Sequence, residues 1–396
     1  MITSLIILAW LVATIVALPL LVLGLQCFIA LLPSRAPLCG ERRQVAILIP
    51  AHNEALGIRK TLLNVQSQLV LGDRIVVVAD NCNDATVTVA RDTGVEVVER
   101  FNADQRGKGF ALEAGVQYLE QNPPDVVIIL DADCDFDHGS IASLVSTVLK
   151  TSRPCQARNL VRLPLNPGPE ASVSTFAFLV KNWVRPRALH LLKLPVALNG
   201  TGMAFPWDLI REAPLGSNEI VEDLALGLHF ARLGLGPVFC ENAHVWSDQP
   251  NDPQVAIQQR TRWEHGYLGS ILRDVPRLLA NGLRTGRPAL ILVALDLMVP
   301  PLALLAILSA FILACLFFVA LVTHHWEPFF VLLGSGLFAG LGIAVAWFFF
   351  ARDLIPAHVL LSIPSYVIAK LNIYKRFVTH REKEWVRTER DGESSR

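Results

Sequence analysis

The first 34 residues contain no Asp, Glu, Lys, Arg or His. No other feature restricts the fold of this chain as strongly. A membrane-crossing helix needs about 20 consecutive, mostly apolar residues, and this stretch is longer. A cleaved signal peptide is the rival reading, but it needs a basic start and a short apolar region, and the chain opens MITSLIILAW. Residues 1–34 therefore read as a retained transmembrane helix. Composition agrees, with 52% hydrophobic and 18% charged residues, against roughly 25% charged in soluble proteins. Arg35, Arg42 and Arg43 follow. Basic residues favour the cytoplasmic side. The expectation is an integral protein of the inner or plasma membrane, with the next segment in the cytoplasm.

From Gln44 to about Pro250 charges return, and short apolar runs alternate with helical patterns. The runs at 45–50, 74–80, 95–99 and 126–130 read as strands, and 55–69, 83–93 and 107–121 as helices. Alternating strands and helices imply right-handed βαβ units. The expected fold is α/β with a mainly parallel sheet. No G-x-G-x-x-G follows the first strand and no G-x-x-x-x-G-K-[ST] occurs, which weighs against a dinucleotide oxidoreductase and a P-loop NTPase. Further on, 155–163 reads as a strand, 171–192 and 220–233 as helices, and 254–280 as a basic helix. Asn199 to Phe205 (NGTGMAF) has the small residues of a tight loop near a ligand. The soluble domain is expected over 44–280.

Two more charge-free stretches, 302–323 and 329–350, are long enough to cross a membrane. The loop between them, HHWEP, has no Lys or Arg, and Arg352 follows the second, so the chain should return to the cytoplasm. Residues 288–301 carry Asp296 and Pro300-Pro301 and read as an interfacial segment; 354–369 read as an interfacial helix, with a third span or a re-entrant piece as alternatives, and the rest to 396 as a basic cytosolic tail. Formal net charge is zero, so no nucleic-acid partner is expected. The seven cysteines form no C-x-x-C and read as reduced thiols. No internal repeat supports a transporter.

The chemistry-bearing residues sit at strand ends. The run VVIIL delivers Asp131 and Asp133 at alternate positions. Ligands bind outside the carboxyl ends of strands in open α/β sheets, and Mg2+ and Mn2+ take hard oxygen ligands shared with phosphates. The plain alternative is a solvated loop. The first strand ends in His52, Asn53 and Glu54, and the second in Asp80, with Asn81, Asn83 and Asp84 behind. Asp and Asn there also serve as helix caps, the simpler role for Asn83 and Asp84. Glu222 and Asp223 open a helical run, either as favourable dipole placement or as a general base. In QQRTRW (258–263) the arginines suit phosphate and Trp263 suits a sugar face, or the segment is a basic surface helix.

The ordered set PAHNE (50–54), Asp80, RGKG (106–109), DAD (131–133), GTGMAF (200–205), VED (221–223) and QRTRW (259–263) resembles glycosyltransferase family 2. More narrowly, it is similar to the membrane-embedded synthases of cellulose, hyaluronan, chitin oligosaccharide and poly-N-acetylglucosamine. The likeness covers roughly residues 44–270. It implies a GT-A (Rossmann-like) fold flanked by transmembrane helices, a UDP-sugar donor of glucose or N-acetylglucosamine type, and an inverting transfer to a growing polysaccharide or oligosaccharide. A single transfer to a membrane lipid, as in ceramide glucosyltransferase-like enzymes, is the alternative.

By motif, the resemblance implies that Glu54 and Asp80 contact the uridine and Lys108 the nucleotide side. Asp131 would lie near ribose and metal, and Asp133 would bind Mg2+ or Mn2+. Asp223, beside Glu222, would be the base. Gln259, Arg262 and Trp263 would hold the diphosphate and the acceptor sugar, with Thr201 and Gly202 lining the acceptor pocket. Partner subunits of a polysaccharide export system are implied as well. Two departures are Val221, where many relatives have Thr, and Asn81-Cys82, where a second Asp is frequent. A non-catalytic subunit that kept the fold is a further alternative, against which the intact acids argue.

Overall fold

A computed structural model describes residues 2–34, 42–164, 167–217, 219–249 and 253–379. Arg35, most of the basic tail and Trp385 lie outside them. The chain divides into two compact units. One is α/β and comprises the described residues within 42–164 and 195–266; the other is helical and comprises those within 2–34, 167–194 and 267–379.

The α/β unit is built on eight strands: β1 Val45–Ala51, β2 Arg74–Asp80, β3 Glu96–Arg100, β4 Val126–Ile129, β5 Cys134–Phe136, β6 Cys155–Arg162, β7 Met203–Pro206 and β8 Val238–Asp248. Their order in the sheet is β3-β2-β1-β4-β7-β6-β8-β5. The pairings β1–β2, β1–β4, β2–β3 and β6–β8 are parallel; β4–β7, β6–β7 and β5–β8 are antiparallel. The sheet is thus parallel in its first half and mixed in its second. The tight loop expected over Asn199–Phe205 gives way at Met203 to β7, which sits between β4 and β6.

Side chains alternate across a strand, and β1 shows the result. Val45, Ile47, Ile49 and Ala51 face one core with Ile58, Leu62, Leu144 and Val148; Ala46 and Leu48 face a second with Leu112, Val116, Leu226 and Phe230. Both faces are covered by helices, so the strand reads as an unbroken apolar run. Arg42 and Arg43, the basic residues after the first apolar stretch, pair with Asp73 and Asp125.

In the helical unit, Ile2–Ile29, Leu302–Thr323 and Glu327–Phe350 are each long and apolar enough to cross a membrane. Small residues let such helices approach closely. A Cβ on Gly342 would lie 3.1 Å from Cys27 Cβ and 3.2 Å from Gly24 Cα. The first helix buries Ala9, Ala13, Ala17, Leu20, Gly24 and Cys27, an i, i+3, i+4 stripe. The expected helix over 171–192 is Pro169–Leu179 and Arg185–Leu191, joined by a π-helical turn at Val180–Val184. Arg185 donates to Gln26 Oε1 at 3.0 Å and pairs with Asp296 Oδ1 at 2.8 Å. Asp296, read from sequence as marking an interfacial segment, lies in the helix Pro288–Leu297.

Candidate active site

Parallel strands bring their carboxyl ends to one edge. β1 lies between β2 and β4, so the turns after β2 and β4 leave the sheet two strand spacings apart, about 10 Å. Asn53 and Asn81 take left-handed backbone angles, φ 56° and 52°, a region that Asn tolerates better than most residues. Each side chain then bridges to the next loop: Asn53 Oδ1 accepts from Asn83 N and Asn81 Oδ1 from Asn102 N, both at 2.9 Å. Asp84 accepts from Thr86 N at 2.9 Å and Ala55 N at 3.1 Å, the structural role its position suggested. Glu54 is buried, and its N–H donates to Thr86 Oγ1 at 2.7 Å.

Lys108 is the hub of the site. Gly107, with φ 126°, turns the chain into the helix Lys108–Leu119, a conformation open to glycine. Lys108 Nζ donates to Asp131 Oδ1 at 2.5 Å and to the Gly200 carbonyl at 2.6 Å. Glu222 and Asp223 are close enough to act on the same ammonium. Burial opposes the charge, but Asp131, Glu222 and Asp223 together hold Lys108 above its ordinary value. Gly200 has φ 83°, and a Cβ there would lie 3.4 Å from Asp223 Oδ2 and 3.5 Å from Lys108 Nζ. A Cβ would sit there in ordinary contact, so it is the left-handed backbone angle that favours glycine at this position. Burial first, then the Asp223 charge, push the Glu222 carboxyl up to about 7 against the pull of Lys108.

Asp131, Asp133 and Cys134 bring ligand atoms within 4.8 Å of one another. Two carboxylates suit a hard divalent ion shared with phosphate. Burial, then the charges of Asp133 and Asp131, push the Cys134 thiol well above its ordinary value. The donor set thus fits Mg2+ or Mn2+ rather than a thiolate-bound ion. Thr201 is buried, and its hydroxyl accepts from Asp131 N at 3.1 Å, so it steadies the DAD turn. Gly202 is packed toward the core: a Cβ there would meet Val245 Cγ2 at 2.5 Å and Ala157 Cβ at 3.0 Å.

The QRTRW segment lies on the helix Pro253–Thr285. Gln259, Arg262 and Trp263 stand at i, i+3 and i+4, on one face. Gly266 continues that face, and a Cβ on it would lie 2.8 Å from Val221 Cγ1. The face therefore abuts the residue that precedes Glu222 and Asp223. Gln259 and Arg262 are half-buried, and Trp263 is 38% exposed. Asp80 ends β2, where it pairs with Arg100 Nη1 at 2.7 Å. Neither Arg100 nor the Gly200 carbonyl is evident from the sequence motifs. Arg100 had one signal, a basic residue ending the strand beside Asp80.

The mixed α/β sheet with acids at its carboxyl edge is matched by a glycosyltransferase family model. The model "Glycosyltransferase like family 2" matches residues 42–266, and the chain belongs to that family. The chain is similar to the "Probable glycosyltransferase YdaM" of Bacillus subtilis, 26% identical over 249 residues, covering 59% of this chain and 57% of the relative. An uncharacterized protein of Methanocaldococcus jannaschii is 31% identical over 109 residues, 28% of this chain and 43% of that one. The chain spans about half the length of these curated relatives. Among solved structures, the mannosyltransferase PcManGT from Pyrobaculum calidifontis, in complex with GDP-Man and Mn2+, superposes with TM-score 0.58 at 18% identity, covering 96% of this chain and 100% of that one. It shares the fold.

Proposed function

We propose that this enzyme transfers a sugar, with inversion, from a UDP-sugar to a growing polysaccharide or oligosaccharide at a membrane surface. The observation that carries this reading is the gathering of Asp131, Glu222 and Asp223 around Lys108, with Asp133 beside them. Asp131 and Asp133 hold Mg2+ or Mn2+, which offsets charge on the leaving diphosphate. Asp223 accepts the proton of the acceptor hydroxyl. That oxygen bonds to the anomeric carbon as the bond to the diphosphate breaks. Glu222 tunes the charge beside it. Arg262 and Gln259 bind the diphosphate, Trp263 stacks on the acceptor sugar, and the Thr201–Gly202 loop backs that pocket. Glu54 and Asp80 serve the base, and Lys108 moves to the nucleotide. The three apolar helices cross the membrane, and the α/β unit lies in the cytoplasm. Partner subunits of an export system take the product onward.

A second reading is a single transfer to a membrane lipid. It is favoured by the span count: among the described residues only three helices are long and apolar enough to cross, which leaves little wall for a polymer channel. PcManGT was solved with GDP-Man, so GDP-mannose belongs beside UDP-glucose and UDP-N-acetylglucosamine in the donor panel. Radiolabelled donor and purified protein with membrane lipids decide between the readings. A ladder of product sizes supports the synthase, and one labelled lipid overturns it in favour of the lipid enzyme.

A further inference from the structure

Asp80 ends β2 and Arg100 ends β3, and the two are partners in the parallel register. Arg100 Nη1 donates to Asp80 Oδ1 at 2.7 Å and to the Gln105 carbonyl at 2.7 Å. Asn81 Nδ2 donates to the same Oδ1 at 3.0 Å. Asp80 is 6% exposed. Among the described residues its other oxygen, Oδ2, accepts no hydrogen bond, yet it is not one of the polar atoms sealed from solvent. The Arg100 guanidinium is itself braced: its Nη2 reaches Gln105 Oε1 at 3.3 Å, and its Cζ lies 5.6 Å from the centre of the Phe110 ring. One oxygen is fixed and the other is left as an acceptor at the carboxyl edge of the sheet.

We infer that Arg100 is a positioning residue for nucleobase recognition: it fixes Asp80 Oδ1 so that Oδ2 accepts a ring N–H from the donor base. This rests on the nucleotide-sugar reading above. Uracil (N3–H) and guanine (N1–H) carry a ring N–H beside a carbonyl. Cytosine N3 and adenine N1 are lone pairs and would face the carboxylate oxygen directly. A buried acceptor left facing an acceptor is strongly disfavoured. The same arginine ties the strand end to Gln105, three residues before Lys108. A base seated at Asp80 thereby meets a loop already held in place for the diphosphate.

The test measures UDP, GDP, CDP and ADP binding to the full-length protein in detergent with Mn2+, alongside donor turnover. The tightest ligand should be UDP or GDP. Arg100→Met should weaken that ligand about tenfold or more and narrow its margin over CDP or ADP. It should raise donor KM while kcat at saturating donor stays within about threefold. Asp80→Asn gives an opposite-signed readout: with Oδ1 still held by Arg100, an NH2 donor replaces Oδ2, so binding of CDP relative to UDP should rise. If Arg100→Met leaves the base preference unchanged, or lowers kcat with KM unchanged, or if Asp80→Asn does not raise CDP relative to UDP, the inference is overturned. If no nucleoside diphosphate binds the wild-type protein, the donor reading beneath it fails first.

Discussion

Lys108 Nζ lies 2.5 Å from Asp131 Oδ1, so the first acid of the DAD turn already holds a cation supplied by the chain. A divalent ion bound at Asp131 meets that ammonium at the same carboxylate. Lys108→Met should therefore tighten Mn2+ binding in the absence of nucleotide, by about tenfold, and weaken nucleotide binding in its presence. Mn2+ titration by electron paramagnetic resonance, with and without UDP, reads both changes. Unchanged Mn2+ affinity would mean that the lysine and the ion do not share Asp131.

Asp223 is assigned the acceptor proton. Asp223→Asn keeps the size of the side chain and removes the base, and kcat should fall by roughly 10²–10⁴-fold. Donor KM should change little, because the carboxylate is not needed to hold the nucleotide. A variant with wild-type turnover would move the base elsewhere.

Glu222 gives a pH signature. Its folded-state carboxyl is pushed up to about 7 from an ordinary 4.5. Between those values the folded protein binds more protons than the unfolded chain, so this group lowers stability as pH rises through that window. The full cost, on the order of 3 kcal/mol, is present above pH 7. The apparent Tm of protein in EDTA should fall from pH 5 to pH 8, and Glu222→Gln should flatten that fall. Equal slopes for the two proteins would place the strain on another group.

In the helical unit buried Arg185 pairs with half-buried Asp296, and Gln26 shares the contact. Removing one partner of a buried pair strands the other and costs roughly 3–5 kcal/mol. Asp296→Leu alone should lower the apparent Tm in detergent markedly, and adding Arg185→Met should restore much of the loss. A double variant no more stable than the single would show that the pair does not behave as an isolated unit.

The legible parts of the fold share one physical cause. β1, β2 and β4 are covered on both faces, so their apolar runs stand out, and the acids at their ends follow from the chain direction. β7 and β8 were hidden. Met203–Pro206 is four residues long and becomes a strand only because β4 and β6 flank it. Val238–Asp248 mixes Glu, Asn, His and Ser with apolar residues, which leaves no clean alternation. The helix Ser140–Thr151 had a signal, since Ile141, Leu144, Val145 and Val148 are buried at helical spacing, but no motif drew attention to it. At the site, Lys108, Asp131 and Asp223 are far apart in sequence, and only the family resemblance grouped them in advance. Arg100 gains its meaning from register with Asp80, which no local pattern reveals.

The central claim is metal-dependent sugar transfer from a nucleotide donor. The most direct test is nucleoside diphosphate release by the detergent-solubilised protein with membrane lipids, across UDP-glucose, UDP-N-acetylglucosamine, UDP-galactose, UDP-glucuronate and GDP-mannose. Each donor is run with Mn2+, with Mg2+ and with EDTA, and beside Asp133→Asn. The account predicts release from one UDP-sugar that is abolished by EDTA and reduced at least about a hundredfold in Asp133→Asn. Release that persists undiminished in EDTA and in Asp133→Asn, or none from any donor with either metal, would contradict it.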